Sequence, residues 1–160
     1  MTFEDKIVLD FPRPKVWDLL LDVNRFAACM PGVEQVTQID DRTFDGVIQA
    51  SVGPMTGKFS FRANIVESEP PRRLVLTWAR PNQTDVSRVT FDIEDFMGSA
   101  RLTVTHCDLS PEMLSAISGG WPAVLSSLKS LLETGQALAI KMAPPERMLA
   151  ALKEMGIGTP

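Results

Sequence analysis

The chain has 160 residues, 44% hydrophobic and 22% charged, with 16 basic against 20 acidic side chains and a net charge of -4. That is about one domain's length with the composition of a core-forming chain, which excludes a disordered polymer and leaves no room for a second full domain. Neither charge sign is gathered into a block, and Cys29 and Cys107 belong to no paired motif, so nucleic acid, a disulfide framework and a zinc site are not expected.

From Thr2 to Asp10 apolar and polar residues roughly alternate through Phe3, Ile7 and Leu9, which predicts a strand closed by Pro12 and Pro14. Glu4, Asp5 and Asp10 lie where a secretory signal would be basic and then apolar, so a cytoplasmic location is expected. Pro14 suits a first helical turn, and Val16, Trp17, Leu20 and Leu21 follow at helical spacing. A second short helical turn is predicted from Phe26 to Met30, stopped by Pro31 and Gly32.

From Val33 to Leu109 the period becomes two. Phe59, Phe61, Ala63 and Ile65 share one side of a segment whose other side carries Lys58, Ser60, Arg62 and Asn64. The same alternation runs through Leu74, Leu76 and Trp78, through Val89, Phe91 and Ile93, and through Leu102, Val104 and His106. Turns are expected at Asp40-Asp41, Gly53-Pro54, Pro70-Pro71, Pro81-Asn82 and Met97-Gly98-Ser99. The segment therefore reads as a meander of about six strands, with Arg62, Arg88 and Arg101 on its polar faces.

Past Pro111 the helical period returns, and a helix of about 33 Å is expected from Gly120 to Lys141. Its apolar face would hold Val124, Leu125, Leu128, Leu131, Leu132, Leu138 and Ala139, with Gly135 near the middle of that face and Ser126, Lys129, Ser130 and Glu133 opposite. The longest uncharged stretch, Met113 to Leu128, is interrupted by glycines and Pro122 and ends at Lys129, so no transmembrane segment is expected. Pro144-Pro145 would end the helix, dividing a domain of residues 1–143 from a tail of residues 144–160. That tail is expected to form a short helix through Met148, Leu149, Leu152 and Met155.

These elements describe an α+β domain in which a curved antiparallel sheet of about seven strands wraps one long helix. The stretch Pro71 to Gly135 resembles the homologues of the heat-shock-protein ATPase activator, through Pro71-Arg72-Arg73-Leu74-Val75-Leu76-Thr77-Trp78, Thr105-His106, and Gly120-Trp121 with Leu125, Leu128 and Leu131. The N-terminal half resembles the G-type subunit of carbon monoxide dehydrogenase, through Val16-Trp17, Asp22, Ala28 to Glu34, and Val52-Gly53-Pro54. Both families belong to the START-like, birch-pollen-allergen-like SRPBCC superfamily, so the resemblance implies a helix-grip fold. It also implies a cavity between sheet and long helix for an apolar or amphipathic molecule such as a lipid or polyketide, used for carriage, sensing or catalysis.

With the alternation above, that cavity is expected to be walled by Phe59, Phe61, Leu76, Trp78, Phe91, Leu102 and Val104, together with Leu128, Leu131 and Gly135 of the helix. His106, the single histidine, is the candidate acid, base or polar anchor. It is expected to be neutral, because burial beside Leu102, Val104 and Trp121 disfavours its charged form. Trp78 and Trp121 are expected to pack, with ligand contact as the alternative. Cys107 should face away from His106, so a Cys-His pair would need the distant Cys29.

No tyrosine is present to serve as a phenolic donor, and no metal, cofactor or nucleotide motif stands out, so no cofactor is expected. The leading expectation is a non-catalytic binder or carrier of a hydrophobic small molecule, acting as a monomer or homodimer. A cyclase or dehydratase using His106, and an assembly or co-chaperone factor acting on a protein partner, are the alternatives.

Overall fold

In the computed structural model, which describes residues 1–30, 32–52, 55–80, 86–138, 150–151 and 154–156, the alternating segments form strands. They are β1 (Phe3–Leu9), β2 (Val33–Gln38), β3 (Thr43–Val52), β4 (Met55–Glu69), β5 (Arg73–Ala79), β6 (Val86–Phe96) and β7 (Ser99–Cys107). All pair antiparallel in the single order β1-β7-β6-β5-β4-β3-β2. Helices α1 (Arg13–Leu21) and α2 (Val23–Cys29) separate β1 from β2, and α3 (Pro111–Thr134) follows β7.

Two local features shape the sheet. Phe96 pairs with Ser99 across a two-residue turn, and both turn residues, Met97 and Gly98, have positive φ, the backbone that keeps a tight hairpin in step with strand twist. In β4, Ile65 faces Leu76 while Glu67 faces Val75, so Val66 is the extra residue of a bulge that bends this long strand. The sheet is curled as a result. Helix α3 contacts both β1 and β3, although β7, β6, β5 and β4 lie between them in the sheet.

The core lies where α1, α2 and α3 meet the sheet, around Leu9, Val16, Leu19, Phe91, Ile93, Leu102, Leu125 and Leu128. Helix α1 buries Val16, Trp17, Leu19 and Leu20, and Leu21 is exposed instead of joining that face. Positions 16, 19 and 20 fall on one side of a 3.6-residue period, which explains the choice. Asp22 ends α1 and starts α2, its carboxylate accepting the Arg25 N–H at 3.3 Å. At the other end of the core the Lys129 ammonium donates to the Val8 carbonyl at 3.1 Å and pairs with Glu133 at 2.6 Å, fixing α3 to the edge strand β1.

Helix α3 departs from expectation at both ends. It begins at Pro111 and carries Gly119, Gly120 and Pro122 inside it. Pro122 is tolerated because it lies on the exposed side, where a carbonyl deprived of its partner can be hydrated. The helix stops at Thr134, not Lys141, because Gly135 takes the left-handed conformation at φ 79 that ends helices. The chain then folds back along α3. The Ser130 hydroxyl donates to the Gln136 carbonyl at 2.7 Å, and the Ser127 hydroxyl accepts the Leu138 N–H at 3.0 Å. Ala139, the turns at Gly53-Pro54 and Pro81-Asn82, Pro31, Pro144-Pro145, Met148, Leu149 and Leu152 lie outside the described residues. Of the expected tail helix, Ala150, Ala151 and Glu154 are helical.

Candidate functional site

Strand register assigns one continuous face of the sheet to the helix. Reading across from β1 it carries Phe3, His106, Val89, Leu76 and Ile65 in one row, and Ser87, Trp78 and Ala63 in the next. Toward the β2 edge the same face continues through Phe61 with Gly46, and through Phe59 with Ile48. Burial divides this face. Under α3 and α1, Phe91, Leu102 and Val104 of the sheet and Leu128 of α3 expose 0–1% of their surface, whereas Ile48, Phe59, Leu76 and Trp78 are only half-buried.

A side chain bordering a space wide enough for water keeps some accessible surface. Phe91, Leu102, Val104 and Leu128 keep essentially none, so they are closed core and not the cavity wall expected of them. Gly135 is also misplaced by the sequence reading: it is exposed beyond the end of α3, with open space around its α-carbon. Leu131 is half-buried and packs against the core. What remains of the expected wall is a half-buried apolar flank on β3–β5, made by Ile48, Phe59, Leu76 and Trp78, with Phe61 buried beside them.

The aromatic stack of that flank depends on a glycine. Phe61 stacks on Trp78 with ring centroids 4.2 Å apart and an interplanar angle of 16°. Its ring lies across Gly46, the residue facing it in register, where an added Cβ would overlap the ring and come within 2.8 Å of the Gln35 carbonyl. Gly46→Ala is therefore expected to push Phe61 off Trp78 and cost about 1 to 3 kcal/mol of stability. Thermal melts with near-ultraviolet circular dichroism check this, and an unchanged melt with an unchanged aromatic spectrum would contradict it.

Beside this flank, where Ser87 faces Trp78, stands a chain of polar groups. The Trp121 indole N–H donates to His106 Nδ1 at 3.1 Å, His106 Nε2 lies 2.8 Å from Ser87 Oγ, and the Ser87 hydroxyl donates to the Trp78 carbonyl at 3.4 Å. An indole N–H can only donate, so Nδ1 must accept and the single proton of the neutral ring sits on Nε2. His106 is 4% exposed, and burial pushes its pKa down from 6.5 to about 4, so at neutral pH the ring is uncharged and the Trp121 donor selects the tautomer. Both ring nitrogens are occupied. The imidazole donates toward Ser87 and therefore cannot accept the Ser87 proton, which argues against a Ser-His nucleophilic pair here.

The thiols offer no substitute. Cys107 follows His106 on β7 and so points to the other face of the sheet. Cys29 is buried against Ser127, and burial pushes its thiol above the ordinary range, leaving it protonated at neutral pH. On the outer face, Arg62 makes two hydrogen bonds to Asp45, at 2.6 and 2.8 Å, which hold the Asp45 carboxyl below its usual range. Arg101 pairs with Glu94 in the same way, and Arg88 is exposed. A groove of about 640 Å³ crosses this outer face over Thr37, Asp45, Ser60 and Arg62, with Arg80 at its margin, and the Arg62 cation in it is already neutralised. None of Arg62, Arg88 and Arg101 lies on the apolar face, whereas the Arg80 guanidinium lies 5.6 Å from the centroid of the Phe59 ring.

The sequence reading did not single out Ser87. Extending the alternation of Val89, Phe91 and Ile93 two residues back places a hydroxyl on the apolar face, and that was the available signal. Among the described residues, no group of three or more His, Cys, Asp or Glu side chains could hold a metal, and no helix is long and apolar enough to cross a membrane.

The chain resembles solved structures throughout its length. Protein CV1439 from Chromobacterium violaceum superposes with a TM-score of 0.69 at 21% identity, covering 83% of this chain and 98% of that one. Protein Ms6760 from Mycobacterium smegmatis gives 0.67 at 17%, covering 83% and 91%. CalU16 from Micromonospora echinospora gives 0.66 at 20%, covering 97% and 82%. At these identities the likeness shows the fold, an α+β helix-grip domain. A search of curated proteins finds no match. The family model for activator of Hsp90 ATPase homolog 1-like proteins, an SRPBCC-type family, matches residues 10–133 and so runs through both halves of the chain. The expected likeness of the N-terminal half to the G-type subunit of carbon monoxide dehydrogenase is not shown. With more than half of its length matched, the chain belongs to the activator of Hsp90 ATPase homolog 1-like family.

Proposed function

We propose that this protein binds a hydrophobic or amphipathic small molecule in the cleft of the β3–β5 flank and does so without catalysing a reaction on it. The observation that carries the reading is the division of one apolar face: closed core under the helices, half-buried Ile48, Phe59, Leu76 and Trp78 beyond them. Apolar walls with a few placed polar groups suit such a ligand. The alternative of acid-base catalysis is disfavoured by the occupied nitrogens of His106. The ligand-facing set is narrower than the one read from the sequence and consists of Phe59, Phe61, Leu76 and Trp78, with His106 and Trp121 behind them.

Native mass spectrometry of the purified protein tests for a co-purifying molecule, and titration with an environment-sensitive hydrophobic dye tests the cleft directly. Phe59→Glu removes an aromatic wall and puts a carboxylate beside the Arg80 guanidinium, which lies 5.6 Å from the Phe59 ring centroid, and is expected to weaken dye binding about tenfold or more with the fold retained, since an apolar dye would have to desolvate the new ion pair. Dye affinity unchanged in a folded variant would count against the cleft. The family's name supports a protein-partner reading instead, and stimulation of an Hsp90 ATPase by this protein would favour that reading.

A further inference from the structure

We infer that Ser87 is the ligand-orienting hydroxyl of the cleft and that the site selects molecules presenting a carbonyl oxygen beside a flat apolar body. This rests on the ligand-binding reading above and adds the polarity of the ligand to it.

The argument is one of direction. Because the Trp121 indole can only donate, the His106 proton sits on Nε2 and is given to Ser87 Oγ. Ser87 therefore has a lone pair occupied and one proton to give. Its acceptor within the protein is the Trp78 carbonyl at 3.4 Å, long for an O–H···O bond, which is ordinarily about 2.7 to 2.8 Å. The Ser87 proton is thus the loosely held end of the chain, on a side chain that is half-buried and not sealed. Rotation about a single bond turns it from the Trp78 carbonyl to an oxygen arriving from the cleft.

Two further features favour a carbonyl. Successive donors polarise one another, so a hydroxyl that accepts from an imidazole N–H is a stronger donor than one standing alone. Trp78 faces Ser87 directly across the β5–β6 ladder and carries its ring stacked on Phe61, so a flat body laid against that pair brings its own oxygen to Ser87. The polarity cannot invert. If the imidazole proton moved to Nδ1, it would face the Trp121 N–H and leave a buried donor unsatisfied. A ligand that offers only a donor, such as an ammonium group, can use only the second lone pair of Ser87 and leaves the Ser87 proton on its long bond to the Trp78 carbonyl, so it gains nothing from the polarised donor.

The test compares two fluorescent probes on the full chain: a propionyl-dimethylaminonaphthalene, whose emission moves to longer wavelength when its ketone accepts a hydrogen bond, and the same dimethylaminonaphthalene without the ketone. The wild type is expected to bind the ketone about tenfold more tightly than the ketone-free probe and, although leaving water moves its emission to shorter wavelength, to hold that emission shifted to longer wavelength relative to a site without the donor. Ser87→Ala should abolish both the preference and the shift, the ketone losing about tenfold more affinity than the ketone-free probe, and Ser87→Thr, which keeps the hydroxyl, should restore them. Equal binding of the two probes by the wild type overturns this inference even if the alanine variant fails to fold. So does a ketone preference that survives Ser87→Ala. Binding of neither probe overturns the cleft reading itself, and with it this inference.

Discussion

Between pH 6.5 and 4 the protein is expected to lose about 3 kcal/mol of stability through His106 alone, because its imidazole titrates at 6.5 in the unfolded chain and at about 4 when buried. The sign follows from proton counting. In that window the unfolded chain binds the proton and the folded one refuses it, so stability is complete above pH 6.5 and falls as the pH drops toward 4. The structural cost is specific: a proton added at Nδ1 would confront the Trp121 N–H that now donates to it. The surface carboxylates Asp45, Glu94 and Glu133, held low by Arg62, Arg101 and Lys129, reinforce the trend only at the acid end of the range. His106→Gln can accept from Trp121 and donate to Ser87 without titrating, so it should flatten the slope. Urea melts across the window compare the two proteins, and parallel pH profiles would show that the imidazole is not the group responsible.

Phe91→Ala is expected to be the more damaging single change, at about 3 to 5 kcal/mol. Its side chain is 1% exposed and meets Phe26 and Trp121 edge-on, at centroid distances of 5.9 and 5.8 Å. Through those two rings it joins α2 and α3 to β6, so its removal leaves a cavity and releases two aromatic contacts at once. Phe91→Leu, which keeps most of the volume, should cost distinctly less. A loss below about 1 kcal/mol for the alanine variant would mean that the surrounding core collapses freely into the vacated space. The packing described for this junction would then be wrong.

How far the sequence could be read depended on the range of the interaction concerned. Strand phase was legible because alternation records directly which side chains meet the core, and Phe59 to Ile65 lie as their pattern predicts. The extent of α3 was not. The helix was expected to start at Gly120, yet α3 already begins at Pro111, while Leu138 continues the helical phase of Leu131 by spacing alone and lies beyond the left-handed Gly135. Periodicity also identifies a face without saying what covers it. That is why Phe91, Leu102, Val104 and Leu128, on the correct face, were assigned to a cavity wall when they lie in closed core. The approach of His106 to Trp121 was foreseeable from strand phase and helix position. The Ser87 contact depends on a diagonal register across β6 and β7, which a single sequence does not display.

The strand order has a consequence for how the domain assembles. Every pair in the sheet joins consecutive strands except β1 with β7, which brings Phe3 beside His106 from roughly a hundred residues away. The six-strand meander can zip up through short loops, each hairpin limited chiefly by local search, whereas β1 must be recruited across nearly the whole chain before its ladder returns any free energy. The same strand is the one to which Lys129 anchors α3. Closure of the first strand and seating of the last helix are therefore coupled through that contact, and the surroundings of His106, which pairs with Phe3 on one side and Val89 on the other, depend on both ends of the fold.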